Sequence, residues 1–423
     1  MKIVMHGAGQ EVGRSCIEIQ WKDRRVLLDC GLKITPDVNE YPTAIVDAGG
    51  IDAVFLSHAH LDHTGALPLA YHEGLRCPIF CTSLTKQITK IMLKDSWKID
   101  RIEGRHTIYA KSCIRDVLQC MQHSEAGKYK GIRYKLIPAG HIPGARSIYL
   151  EYRGESVLYT GDISGTQTRL VNKHRSYPKA DVLITESTYG NRIHPKRSTV
   201  EDRFRSIIKK TIDKGGSVLV AVFAISRSQE IMLLLESMKL GCPIYLDGMS
   251  KLVTKVFLRN MDELRNRDLQ QAVKRVDMVT SWEKRKSITK RQGIFLATSG
   301  MLDGGPILAY LKALGQNTNN TLILTGYQAD ETNGRRLLNH GYVFIDGKPV
   351  DITTPVYHLD FSAHADEPAL HSIIDRVQPS YVIAQHGETG SAKSVAAYAQ
   401  SQGCTSFFPR TGETIEIRRK KNG

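Results

Sequence analysis

The stretch Val54-Phe55-Leu56-Ser57-His58-Ala59-His60-Leu61-Asp62-His63 decides the fold and locates the chemistry. An apolar run with the composition of a buried strand stops at Ser57, and three imidazoles and a carboxylate follow within six positions. A helix start is satisfied by one polar side chain and has no use for three histidines. Neutral imidazole with carboxylate is the donor set zinc takes, and catalytic zinc sites keep one position open to water. The spacing lets His58 and His60 point one way while Asp62 and His63, on the first turn of the next helix, point another. Two adjacent metals are implied.

The same local event recurs along the chain. Short apolar runs end in a residue able to bind metal or move protons: Val26-Leu27-Leu28 before Asp29, Leu136-Ile137 before His141, and Val157-Leu158-Tyr159 before Asp162. Val182-Leu183-Ile184 before Glu186 and Val382-Ile383-Ala384 before His386 complete the series. Strands sharing a sheet would bring these ends to one edge, where layered α/β proteins place ligands. From Gly190 to Pro355 strands and helices alternate with no such polar ending, which predicts a separate domain inserted into the first. The return of a metal-type residue at His386 places the re-entry near residue 356.

A chain of 423 residues, 41% hydrophobic and 24% charged, can bury a core in each of two domains and is neither disordered nor collagen-like. Its 58 Lys and Arg against 43 Asp and Glu give +15, which suggests a polyanionic partner, nucleic acid before an anionic membrane surface. No run approaches the roughly 18 apolar residues of a membrane span, and the N-terminus has no signal-peptide core, so a cytoplasmic protein without a membrane partner is expected. The eight cysteines (16, 30, 77, 81, 113, 120, 242 and 404) include no Cys-x-x-Cys pair and read as reduced thiols.

His58-x-His60-x-Asp62-His63 resembles the signature of the metallo-β-lactamase fold, and the family's other motifs follow in order at Asp29, His141 and Asp162. The resemblance implies that His58, His60 and His141 hold one zinc and Asp62 and His63 a second. Asp162 would bridge the two Zn2+ ions, and Asp29 would orient the ligands from behind. Glu186 in Thr185-Glu186-Ser187, His364 in Phe361-Ser362-Ala363-His364-Ala365-Asp366 and His386 in Gln385-His386-Gly387 resemble motifs A, B and C of the β-CASP nucleases. The fold expected is therefore α/β, a metallo-β-lactamase αββα sandwich with an inserted α/β β-CASP domain. The first domain would take residues 1–190 and 357–423, and the insertion 191–356.

A histidine at motif C, here His386, goes with the RNA-cleaving members, so single-stranded RNA is the expected substrate. The resemblance adds His386 to the metal ligands and makes Asp62, His364 and Glu186 the catalytic set, with His364 the general acid oriented by Glu186. The wording around motif B is closer to the nuclease subunit of the cleavage and polyadenylation specificity factor than to bacterial RNase J. With the first strand near Met1, the short archaeal form without KH domains matches best, and a homodimer is expected. In the insertion, Arg227, Ser299 and Arg335 are candidate RNA-phosphate contacts, although Arg227 and Glu230 could instead form a structural ion pair. Ser226 departs from the glycine many relatives carry there. A terminal-phosphate pocket between the domains, lined by Ser299 and Arg227, would favour 5′-to-3′ exonucleolysis of 5′-monophosphate RNA over internal cleavage in 3′-end processing.

Two weaker signals remain. Gly7-x-Gly9-x-x-x-Gly13 is one residue too long for a dinucleotide fingerprint and lacks a clear crossover helix. Residues 274–291 hold seven Lys or Arg against two acids, either an RNA-facing strip or a solvated helix face. Among rival readings, a small-molecule metallohydrolase lacks the insertion and has little use for +15. A non-catalytic scaffold would have lost ligands, and tRNA 3′-end nucleases of this fold are usually shorter.

Overall fold

Glu18 shows how the sequence builds its first sheet. Ile17 and Ile19 alternate with it along one strand and are fully buried, so the period-2 pattern sends two apolar side chains to the core and one carboxylate to the opposite face. In the computed structural model, which describes residues 1–35, 38–43, 45–105, 107–174, 176–265 and 267–418, the chain divides into two units. The first comprises Met1–Gln167, Asn172–Ile193 and Ala363–Gly423, and the second Thr168–Val171 and His194–Ser362.

The described residues of the first unit form two seven-stranded sheets. One runs in the order Thr414–Glu416, Lys2–Met5, Ile17–Gln20, Arg25–Leu28, Ala53–Phe55, Ile79–Cys81 and Met121–His123. The other runs Thr405–Phe407, Tyr381–Gln385, Val182–Glu186, Glu155–Tyr159, Arg146–Tyr152, Ile132–Pro138 and Ala126–Tyr129. Their facing side chains, among them Met5, Ile17, Leu28 and Phe55 from one and Leu136, Ile148, Tyr159 and Ile184 from the other, make one core. The outer face of the first sheet is covered by helices Leu67–His72, Ser83–Ile102 and Lys111–Cys120. Helices Glu367–Val377 and Thr389–Ser401 lie on the second. The result is the αββα sandwich.

The second unit is built on a sheet of six strands among the described residues, all parallel. Its order is Val276–Met278, Ile244–Asp247, Ile294–Ala297, Val218–Ala221, Thr321–Leu324 and Val356–His358. Near-continuous apolar runs such as Val218–Ala221 and Ile294–Ala297 suit a parallel sheet covered on both faces. Its last strand explains why the observed return to the first unit follows Ser362 rather than 356. Val356–His358 pairs with Thr321–Leu324, so those residues are still needed by the second sheet. Thr168–Val171 also joins this unit, because Arg169 is held there by Glu201 (Nε to Oε1, 2.9 Å). No described helix is long and apolar enough to cross a membrane. Five cysteines are buried, and Cys120, Cys242 and Cys404 are partly exposed.

On its polar face Glu18 accepts hydrogen bonds from His6 Nε2 (2.8 Å), Arg25 Nε (2.6 Å) and Gln20 Nε2 (3.0 Å). Burial alone would raise the carboxyl pKa, but these donors outweigh it and lower it from 4.5 to about 2. A depressed folded pKa means a stabilising effect that is complete above the unfolded value and fades as pH falls towards about 2. Glu18→Gln is expected to cost about 1–3 kcal/mol at pH 7. Urea unfolding of the two proteins at pH 7, 5 and 3 should show that difference narrowing at pH 3.

Candidate metal centre

Most of the candidate side chains sit at or just past the end of a strand, and Asp62 and His63 lie in the short helix Leu61–Thr64. Asp29 follows Arg25–Leu28, Ser57 and His58 follow Ala53–Phe55, and His141 follows Ile132–Pro138. Asp162 follows Glu155–Tyr159, Glu186 ends its own strand, and His386 follows Tyr381–Gln385. Asp29 and His386 adopt φ of +59° and +50°, a left-handed conformation that turns the chain sharply as it leaves the sheet. The Gly7–Gly13 segment, discounted as a nucleotide loop, has a structural task here: the carbonyl of Ala8 accepts the backbone N–H of His386 (2.8 Å).

Three groups of possible ligand atoms result, each within 4.8 Å: His58, His60, His141 and Asp162; Asp62, His63, Asp162 and His386; and Asp162, Glu186 and His364. Asp162 belongs to all three. In the first group His60 Nδ1 lies 3.0 Å from His58 Nε2 and 3.3 Å from His141 Nε2. The protons of the latter two rings are committed on their far sides, His58 Nδ1 to Ser57 Oγ (3.0 Å) and His141 Nδ1 to the carbonyl of Ala363 (3.0 Å). The inward nitrogens of His58 and His141 therefore present lone pairs towards His60 Nδ1, an arrangement that suits a cation seat.

In the second group the buried atoms His63 Nε2 and Asp162 Oδ1 have no hydrogen-bond partner among the described residues. His63 Nε2 is 3.4 Å from Asp162 Oδ2, and His386 Nε2 is 3.3 Å from Asp62 Oδ2. The donor set is imidazole and carboxylate throughout, which fits zinc and has no softer ligand to favour copper.

Burial, reinforced by the His63 imidazole, pushes the His58 pKa well below 6.5, and burial also lowers those of His60 and His141. Burial thus favours the neutral form of these three rings, the form in which imidazole takes a metal. Burial would likewise lower His63, but Asp162, Asp62 and Asp29 outweigh it and hold that ring well above 6.5. The carboxylates thus draw positive charge into this half of the centre. His364 follows the same logic. Burial opposes its charge, while Glu186 first, then Asp162 and Asp62, raise its pKa to about 9. Its Nδ1 donates to Glu186 Oε2 (2.8 Å), and Glu186 Oε1 is fixed by the backbone N–H of Ile163 (2.7 Å).

Three descriptions of known families match successive parts of the chain. They are the Anti-Pycsar protein Apyc1 over residues 1–202, the Beta-Casp domain over 228–337 and the Zn-dependent metallo-hydrolase RNA specificity domain over 349–409. A Methanocaldococcus jannaschii protein named "Probable RNase MJ4" is 42% identical, over 99% of this chain and 100% of its own. The chain belongs to the β-CASP family of metal-dependent ribonucleases. A "RNase J-like protein" of the same organism is 37% identical over 92% of this chain and 93% of its own. "Cleavage and polyadenylation specificity factor 73" of Drosophila melanogaster is 31% identical over 90% of this chain, which spans 59% of that protein. A protein of unknown function from Enterococcus faecalis V583, 14% identical with a TM-score of 0.59 over 98% of this chain and 99% of its own, shares the fold.

In this β-CASP chain the candidate phosphate contacts lie in the second unit. The Arg227 guanidinium is buried against Glu230, which Arg197 also contacts, so the structural ion pair exists. Ser226 keeps the glycine-like turn, with φ of +69°. Ser299 Oγ accepts the N–H of Asp303 (3.2 Å), and the Arg335 guanidinium donates to the carbonyl of Gln328 (2.7 Å). None of the three enters the ligand groups.

Sequence reasoning passed over two members of the site. Ser57 donates to Asp29 through N (2.7 Å) and Oγ (2.6 Å), and the Tyr159 hydroxyl donates to the same carboxylate (2.7 Å). Ser57 was visible as the first polar residue after its strand, whereas Tyr159 reads as an ordinary inward strand residue. Asp29 therefore anchors the ligands, accepting from His63 Nδ1 (2.7 Å) as well. Asp29→Asn, which puts an amide N–H where these donors converge, should weaken metal binding about 10–100-fold. Competition against a chromogenic chelator would measure it.

Proposed function

We propose that the chain is a two-zinc ribonuclease acting on single-stranded RNA, mainly as a 5′-to-3′ exonuclease on 5′-monophosphate ends. The observation that carries the reading is Asp162, shared by two cation seats, with the Glu186-bound imidazole of His364 beside them. Two zinc ions at these residues would supply a water nucleophile ionised near neutral pH and neutralise the charge of the scissile phosphate. His58, His60 and His141 would hold one, Asp62, His63 and His386 the other, and Asp162 both.

The protein's own groups then have defined tasks. Asp62, 30% exposed where the other carboxylates are buried, accepts a hydrogen bond from the attacking water and orients it. As the already ionised water adds to phosphorus, the bond to the ribose 3′ oxygen breaks, and His364 Nε2 gives that oxygen its proton. Glu186 accepts from Nδ1 and keeps the charged ring in place. The products carry a 5′ phosphate and a 3′ hydroxyl.

RNA as substrate draws support from the names of the relatives and from +15. The direction draws support from the resemblance to a "RNase J-like protein" and from the second unit, where Arg227, Ser299 and Arg335 follow the C-terminal edge of an all-parallel sheet. Such edges are where open α/β sheets bind phosphorylated ligands. The likeness to "Cleavage and polyadenylation specificity factor 73" favours a second reading, internal cleavage in 3′-end processing.

Elemental analysis of protein purified without chelator should find two zinc ions per chain. His364→Ala should keep them while turnover falls on the order of 100-fold or more, and loss of metal would contradict the assigned role. RNA labelled at its 5′ end should release mononucleotides early from the monophosphate form and more slowly from the triphosphate. Internal fragments appearing first, whatever the 5′ group, would establish the second reading instead.

A further inference from the structure

The chain has three tryptophans, and one of them stands in water. Trp21 is 7% exposed within the core, whereas Trp282 is 60% exposed and outside the second unit's hydrophobic cluster. It opens helix Trp282–Ile288, which Ser281 caps by accepting the N–H of Lys284 (3.1 Å). A cation beside the ring is held in place. The Arg285 guanidinium lies 5.7 Å from its centroid and donates through Nε (2.7 Å) and Nη2 (3.2 Å) to Asp247. Asp247 is fully buried and also accepts from the Tyr310 hydroxyl (2.9 Å) and Lys251 Nζ (3.2 Å). An indole propped by an anchored cation and left open to solvent is a preorganised stacking surface.

Its surroundings are cationic. Lys286, one helical turn on, shares its face, and Lys274, Lys290 and Arg291 are exposed in the same segment. Of the two acids there, Asp277 is engaged by Lys284, leaving Glu283.

We propose that this face of the second unit is an auxiliary binding surface for single-stranded RNA, with a base stacked on Trp282 and phosphates beside Lys286, Lys290 and Arg291. A duplex would keep its base faces covered, so the surface selects unpaired RNA. The inference rests on the ribonuclease reading and adds a site outside the metal-bearing unit. Its function is to hold long substrates, so it should act on KM and not on chemistry.

The test compares steady-state cleavage of RNAs of about 5 and about 30 nucleotides, the shorter too short to fill the metal centre and an auxiliary surface at once. Trp282→Ala should raise KM for the long RNA about tenfold, leaving kcat and cleavage of the short RNA unchanged. Lys286→Glu with Lys290→Glu and Arg291→Glu should have the same selectivity and flatten the salt dependence. Quenching of indole emission by single-stranded RNA, lost in Trp282→Phe, would report the stacking directly. If the wild type cleaves both RNAs and Trp282→Ala shifts neither KM, the proposal is overturned while the ribonuclease reading stands. It is overturned equally if Trp282→Ala changes only the sedimentation coefficient, which would make the patch a contact between protein copies. A wild type that cleaves neither RNA removes both readings.

Discussion

Everything at the metal centre hangs on one buried carboxylate that is not itself placed to hold a metal. Asp29 accepts from Ser57 N, Ser57 Oγ, His63 Nδ1 and Tyr159 Oη. Two of these donors belong to the loop after Ala53–Phe55 in one sheet, and Tyr159 belongs to a strand of the other. The carboxylate therefore ties the ends of the two sheets together at the point where their ligands meet. Because it commits the Nδ1 proton of His63, and that of His58 through Ser57, it also decides which ring nitrogens face inward. A carboxylate with no exposure is costly to bury, and four donors offset that cost.

What was legible in the sequence follows from what a strand must show. His58, His60, Asp62 and His63 stand out because polar residues interrupt an apolar run with no fold-level reason to be there. Asp162, Glu186 and His386 stand out in the same way. Tyr159 and the carbonyl of Ala363 were not legible: a tyrosine in an inward strand position looks like core until its hydroxyl is seen on Asp29, and a backbone carbonyl has no sequence signature. The end of the insertion was misjudged for a related reason. Val356–His358 is a short strand of ordinary composition, and only its pairing with Thr321–Leu324 assigns it to the second sheet. Arg227 was ambiguous for want of spatial information. It sits with Arg197 on one carboxylate, Glu230, and both guanidinium groups lie over the Phe361 ring, at 5.8 and 4.6 Å.

The two units use charge differently. In the first, carboxylates and imidazoles are packed close together and mostly buried, and they perturb one another: His58 and His141 are shifted towards the neutral form while His63 and His364 are shifted towards the charged form. In the second, buried ions are paired. Glu230 is shared by two arginines, and Asp247 is closed in by Arg285, Lys251 and Tyr310. A buried pair contributes little net stability but resists rearrangement, since removing one partner strands the other. The first unit's cluster of imidazoles and carboxylates, by contrast, is the kind of donor set that would hold a cation.

Asp162 shows why the candidate cation seats and His364, the proposed proton donor, cannot be tuned separately. It is the one residue common to all three ligand groups, with Oδ2 3.5 Å from His58 Nε2 and 3.4 Å from His63 Nε2, and Oδ1 3.5 Å from His386 Nδ1. It is also among the charges that raise the His364 pKa. Any cation accepted by Asp162 consumes part of the negative field that charges His364, leaving Glu186 as the group that keeps the ring protonated. That division explains why Glu186 is fully buried, fixed by the N–H of Ile163 and bonded to His364 at 2.8 Å. Its attraction for the imidazolium has to survive when the shared carboxylate is engaged elsewhere.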